Sequence, residues 1–213
     1  MKATERKRQS AKERKPVILR SFYEVINELG LENASIARVA EKAGVHPSTV
    51  IHYFGNKEEM VKALVDETLR MYGRILERLP EDDDPSVRLD RLLTLIWSRE
   101  WHQAVSFSVI FSLLALSRRD DDVMMRMRNL YRTYRKYLTK QVAFFSQSRI
   151  IEVDNQQAAV QALISLSEGS HYFNGYHIEK DSHDEHCKYM IWAAKRILGV
   201  KEETGQNAGD EYV

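Results

Sequence analysis

Between Ser35 and Lys57 the chain reads SIARVAEKAGVHPSTVIHYFGNK, and this stretch leaves little choice of local structure. Ile36, Val39, Ala40 and Ala43 recur at helical spacing and make one apolar stripe. Ser35 stands where a hydroxyl accepts from an otherwise unpaired N–H of a first helical turn. Gly44 sits where a helix closes in the left-handed conformation, which costs glycine little. Val45 then fills the angle between two helices. Pro47 suits the first position of the second helix, where no backbone donor is needed. That helix is expected to reach about Tyr53, with Gly55 ending it. A helix, a short glycine turn and a second helix make the geometry that sets the second helix into a DNA major groove.

The rest of the chain predicts an all-α protein. In 213 residues, 43% of them hydrophobic, there are only 4 prolines and 9 glycines. β-branched alternation is scarce, and the hydrophobic content supports a buried core. Helical periodicity gives about nine helices, near residues 16–29, 35–43, 47–53, 57–79, 86–99, 103–117, 120–145, 155–176 and 183–198. Residues 103–117 are apolar nearly all round, so this helix is expected at the centre of a second domain. Pro80 and Pro85 bracket an acidic run and mark a loop. The expected organisation is a basic disordered arm over 1–15, a helix-turn-helix unit over 16–62, a second helical bundle over 63–200, and a flexible tail over 201–213.

The single Cys187 excludes an intrachain disulfide framework and suits a reducing, cytoplasmic setting. No apolar run is long enough to predict a membrane span, and the N-terminus lacks the apolar stretch of a signal peptide. No Gly-rich phosphate loop, serine elbow or metal spacing is present, so neither an enzyme nor a cofactor is expected.

Charge is distributed unevenly. Lys2, Arg6, Lys7, Arg8, Lys12, Arg14 and Lys15 stand against only Glu5 and Glu13 in the first fifteen residues. A basic arm ahead of a helix-turn-helix suits phosphate binding, because each neutralised phosphate releases counterion. In the second helix Val50 and Phe54 should face inward. Ser48, Thr49, His52 and Tyr53 are then directed toward DNA, with His46 and Pro47 at the leading end. The Thr49 methyl is suited to a thymine methyl, and His52 to a phosphate. Ile51 is expected as core or wedge.

The chain resembles the TetR family of transcriptional regulators. The resemblance rests on Ile36, Val39-Ala40, Ala43-Gly44-Val45, Thr49, His52-Tyr53-Phe54, and Lys57 followed by Glu58-Glu59-Met60. It covers roughly residues 17–62. There are departures. His46 and Pro47 stand where the family more often has serine and a polar or basic residue, and Ile51 stands where it often has a phosphate-contacting tyrosine. The resemblance implies a homodimer on a near-palindromic double-stranded operator, a small-molecule effector bound in the second domain, and repression relieved by that effector. It places Ser35, His46, Pro47, Ser48, Thr49, His52, Tyr53 and Lys57 at the DNA, with Lys57 beside the backbone at a helix N-terminus.

For the effector, the aromatic and sulfur-bearing candidates are Trp97, Trp101, His102, Phe107, Phe111, Met124, Tyr131, Tyr134, Tyr172 and Phe173. Such a lining suits a hydrophobic ligand, or an aromatic or cationic one held on ring faces. An alternative is a metal- or pH-responsive regulator using the segment from His171 to Cys187, where His177, His183 and His186 also crowd.

Overall fold

A computed structural model describes the backbone over residues 2–77, 84–104, 106–177 and 182–201, and side chains over 13–77, 84–101, 106–172 and 182–201. Ten helices occur among these residues. They are α1 (Lys2–Leu29), α2 (Ile36–Ala43), α3 (Pro47–Phe54), α4 (Lys57–Leu76), α5 (Pro85–Ile96), α6 (Arg99–Ala104), α7 (Phe107–Ser117), α8 (Asp121–Gln147), α9 (Gln156–His177) and α10 (His183–Ile197). The one extended pairing described is an isolated antiparallel bridge between Ile151 and Val200. The fold is all-α, as the periodicity requires.

Two compact units emerge, one of residues 1–77 with 102–132 and the other of 78–101 with 133–213. In the first, α1, α2, α3 and α4 pack on one another around Ile18, Phe22, Ile26, Val39, Val50, Met60 and Leu64. Ser35 caps α2, accepting from the Arg38 N–H. Gly44 closes it at φ 64°, with Gly44 N–H donating to Glu41 O and Val45 N–H to Ala40 O. This double closure satisfies carbonyls that a helix end would otherwise leave bare.

Three expectations are corrected. Of the 1–15 segment, residues 2–15 are helical and continuous with the rest of α1, through Pro16. Ala3, Glu5, Lys7, Ala11, Lys12 and Glu13 are good helix formers, and their propensity outweighs the single backbone donor that Pro16 lacks. Residues 86–117 hold three helices rather than two. Ser98 is the divider: its hydroxyl donates to Leu95 O at the end of α5 and accepts from Trp101 N–H at the start of α6. Third, α7 belongs with α1 and not at the centre of the other unit. Ser106, just before α7, donates its N–H to Tyr23 Oη at 2.6 Å and its hydroxyl to Asn27 Oδ1. Val109, Ile110 and Leu113 are buried beside this junction, while Phe111 stays 47% exposed.

The second unit has its own core of Leu89, Leu93, Ile96, Trp97, Leu138, Val142, Phe145 and Leu163. α10 packs on α5 and α9. Arg88 is buried there, its Nε donating to Gln141 Oε1 at 3.0 Å and its guanidinium lying over the Phe144 ring. α10 closes at Gly199, φ 56°, whose N–H reaches Arg196 O while Val200 N–H reaches Lys195 O. Glu152 N–H then bonds Gly199 O, fastening the end of α10 to the α8–α9 connection.

Two of the four positive-φ glycines among the described residues, Gly44 and Gly199, give a test. A Cβ on Gly44 meets nothing within 4 Å, whereas one on Gly199 would lie 2.1 Å from Glu152 O. Gly44→Ala therefore costs only the backbone strain, about 1–2 kcal/mol. Gly199→Ala costs more, because backbone must also move. Urea unfolding of the two variants should rank them in that order, and equal losses would contradict the Gly199 contact.

Candidate nucleic-acid interface

α3 has only eight residues, so its placement comes from packing and caps rather than from its own cooperativity. His46 is its N-cap, with Nδ1 accepting from Ser48 N–H at 3.3 Å and lying 2.8 Å from Ser48 Oγ. Pro47 occupies the first turn, and Gly55 N–H donates to Ile51 O at the other end. Val50 is fully buried and Phe54 7% exposed, with the Lys15 ammonium 5.1 Å from the centre of the Phe54 ring. These anchors turn the opposite face outward. Ser48 and His52 are exposed, and Pro47, Thr49 and Tyr53 are half-buried. The His52 and Tyr53 rings meet edge to face at 5.2 Å. Ile51, expected in the core or as a wedge, is 49% exposed, because it lies a quarter-turn round the helix from Val50.

Ser35 and Lys57 have structural work in this unit. Ser35 is the α2 cap described above. Lys57 Nζ donates to Leu31 O at 2.6 Å and approaches Glu32 O at 3.4 Å, tying the start of α4 to the α1–α2 connection. Two carbonyls thus offset the unfavourable placement of a cation at a helix start. The sequence offers no signal for this bond, because it spans 26 positions. Asn56 caps α4 by accepting from Glu59 N–H at 2.8 Å. Farther along, Lys62 of α4 pairs with Asp122 of α8 at 2.8 Å, and Arg126 pairs with Asp66. The Lys62 hydrogen bond holds the Asp122 carboxyl below its ordinary range and raises the Lys62 ammonium. This link is complete above the usual carboxylate range and is lost as acid takes the pH through the lowered value.

The effector candidates divide between the units. Trp97, Trp101 and Tyr134 lie in the second, 1%, 6% and 9% exposed. The Trp101 and Tyr134 rings are 5.5 Å apart, and Tyr134 Oη lies 3.4 Å from Ser167 Oγ. Burial pushes the Tyr134 phenol up. Among the described residues Trp97 Nε1 is buried without an acceptor. Tyr172 is half-buried in the same unit, its ring 5.7 Å from that of His171. Phe107, Phe111, Met124 and Tyr131 fall in the first unit, where the Phe107 and Phe111 rings meet at 4.5 Å. The side chains of His102 and Phe173 lie outside the described residues. An open groove of about 490 Å³ along α5, lined by Val87, Asp90, Arg91, Thr94, Leu95, Ser98 and Glu100, contains none of the expected aromatics.

The histidine segment does not converge on one point. Cys187 Sγ donates to Trp97 O at 2.9 Å, with His183 Nε2 at 3.5 Å, while His186 Nε2 pairs with Ser170 Oγ at 2.8 Å. The side chain of His177 and the whole of Asp181 lie outside the described residues. Among those described, no three His, Cys, Asp or Glu side chains are grouped to hold a metal ion. The metal-responsive alternative is therefore not favoured.

Comparison with known proteins fits this geometry. Residues 18–64 match the family described as bacterial regulatory proteins, tetR family, and residues 85–200 match the tetracyclin repressor-like C-terminal domain. The chain belongs to the TetR family of transcriptional regulators. The HTH-type transcriptional regulator YvdT of Bacillus subtilis is 30% identical over 191 residues, 86% of this chain and 94% of that one. BetI of Stenotrophomonas maltophilia is 33% identical over 78 residues, so the match spans only 40% of its length. Among solved structures, a TetR regulator from Haloarcula marismortui matches with a TM-score of 0.76 at 16% identity, over 88% of this chain and 97% of that one. A transcriptional regulator from Saccharomonospora viridis in complex with choline matches at 0.77 and 16% identity, over 90% and 99%. TetR-family proteins are DNA-binding regulators rather than enzymes, and typically act as dimers with small-molecule effectors. No helix among the described residues is long and apolar enough to cross a membrane.

Two measurements probe these contacts. Lys57→Ala removes a charged donor from backbone carbonyls and should cost about 1–2 kcal/mol of stability in the absence of DNA, read by urea unfolding. Burial pushes the Cys187 thiol up, with Asp184 adding to the effect. The native chain should therefore react with iodoacetamide at neutral pH more slowly than the urea-unfolded chain, and equal rates would contradict the burial.

Proposed function

We propose that this protein is a cytoplasmic homodimeric repressor. It holds a near-palindromic operator through two copies of α3 and leaves it when a small hydrophobic, aromatic or cationic effector binds the second unit. The observation that carries the DNA reading is the rotation of α3, whose anchors Val50 and Phe54 are buried while Ser48, Ile51 and His52 face out. A two-fold axis would set the two copies about one helical turn apart, roughly 34–36 Å. Ser48, Thr49, His52 and Tyr53 lie at the bases or phosphates, with His46 and Pro47 leading. Lys57 keeps donor capacity beyond its carbonyl bonds for the DNA backbone.

The effector reading is supported by Trp97, Trp101 and Tyr134. Buried ring faces suit a cation, and an indole N–H without an acceptor suits a ligand oxygen. The choline held by the Saccharomonospora viridis regulator is a ligand of that kind. Within the first unit, α7 touches α1 through Ser106 and Tyr23, and α8 is tied to α4 by the Lys62–Asp122 and Arg126–Asp66 pairs. Movement of α7 or α8 would therefore reach the helices that carry α3. The coupling is a difference in effector affinity between two arrangements, typically about 1–3 kcal/mol.

A gel-shift assay on the DNA upstream of the protein's own gene tests the reading. A retarded band at low salt is expected, and its absence would refute DNA binding there. Thr49→Ala should lose affinity at particular base pairs, whereas Lys57→Ala should weaken every sequence alike when both are assayed well below their melting temperatures. Identical losses on every site variant would overturn the contact assignment.

A further inference from the structure

The outer face of α3 lacks the side chains that usually read base edges in pairs. From Pro47 to Phe54 there is no Arg, Lys, Asn, Gln, Asp or Glu. Arg and Lys read guanine, Asn and Gln read adenine, and carboxylates accept from cytosine; none of these pairings is open to this helix. The cations of the neighbouring α2 already hold partners within the unit, Arg38 on Asn33 O at 2.8 Å and Lys42 on Glu28 at 2.6 Å, and neither belongs to α3.

What the helix offers instead is apolar. Ile51 is 49% exposed beside a fully buried Val50. Pro47, four residues earlier, stands on the same side, so the two form an aliphatic edge along one flank, with Ser48 next to it. A single exposed aliphatic elsewhere would need no explanation. Here it sits on the helix that the DNA reading places in the groove, and the one apolar feature of the major groove is the thymine 5-methyl group. We infer that Ile51 is a specificity-determining residue that reads thymine methyl groups in each half of the operator, with Pro47 extending the same apolar edge. This rests on the DNA-binding reading above. Polar selectivity is left to single bonds from Ser48, Thr49 and His52, and to the shape of the duplex.

The probe is duplex DNA recovered by the full-length protein from a random-sequence pool. Each thymine in the recovered site is then replaced by deoxyuridine, which removes the methyl and leaves every hydrogen-bonding group in place. Replacement at one or two positions per half-site should weaken binding by about fourfold each, the worth of one buried methyl. Ile51→Ala should bind the thymine and deoxyuridine forms equally at those positions, and Ile51→Val should keep part of the difference. Exposure of Ile51 makes loss of folding in these variants a small concern, and thermal unfolding checks it. Sequence-specific binding indifferent to every deoxyuridine would overturn the inference while leaving DNA binding intact. Undiminished discrimination in Ile51→Ala would also overturn it. Recovery of no duplex would instead overturn the DNA-binding reading on which it stands.

Discussion

The burial of Val50 and Phe54 fixes everything that α3 presents to the outside. The helix is two turns long and could not persist alone. Its two inward side chains are four residues apart and lie on one face, so a single packing event sets both its position and its rotation. The caps at His46 and Gly55 then satisfy its ends. The outward face is a consequence of the inward one. Losing Val50 would not remove an outward side chain, but it would remove the frame of reference for all of them.

The same economy of anchoring continues behind α3. Lys57 uses its ammonium to join α4 to the α1–α2 connection, and Asn56 caps the same helix turn. Ser106 fastens α7 to α1 through Tyr23 and Asn27. Lys62 and Arg126 fasten α4 and α8 together. These are polar contacts on or near the surface, each worth little by itself. Their importance is directional, since they join the helices that support α3 to helices lying far along the chain.

Much of the head was legible in the sequence because its signals are local. Ser35, Gly44, Pro47, Asn56 and the spacing of Val50 and Phe54 are each read within a few residues, and the structure places them as caps, closure and core. Ser106 as the anchor of α7 left no local trace, because its partners Tyr23 and Asn27 lie 83 and 79 positions away. Ser98 as the divider of α5 and α6 is a local cap, bonded three residues either way, inside a run whose apolar periodicity reads as one helix. The apolar character of α7 suggested complete burial, yet Phe111 is exposed, since hydrophobicity alone does not say which neighbour covers a face. The basic start of the chain suggested a loose arm, but helix propensity over Ala3 to Glu13 continues α1. For the effector candidates, aromatic content did not indicate location, and the structure distributes them over two units.

Methylation interference on the bound duplex can show whether the outer face of α3 occupies a DNA major groove twice per assembly, because dimethyl sulfate marks guanine N7 in the major groove and adenine N3 in the minor groove. Interference is expected at major-groove positions in two patches whose centres lie about 10–10.5 base pairs apart, or a multiple of that. Interference confined to adenine N3, or to a single patch, would contradict that placement.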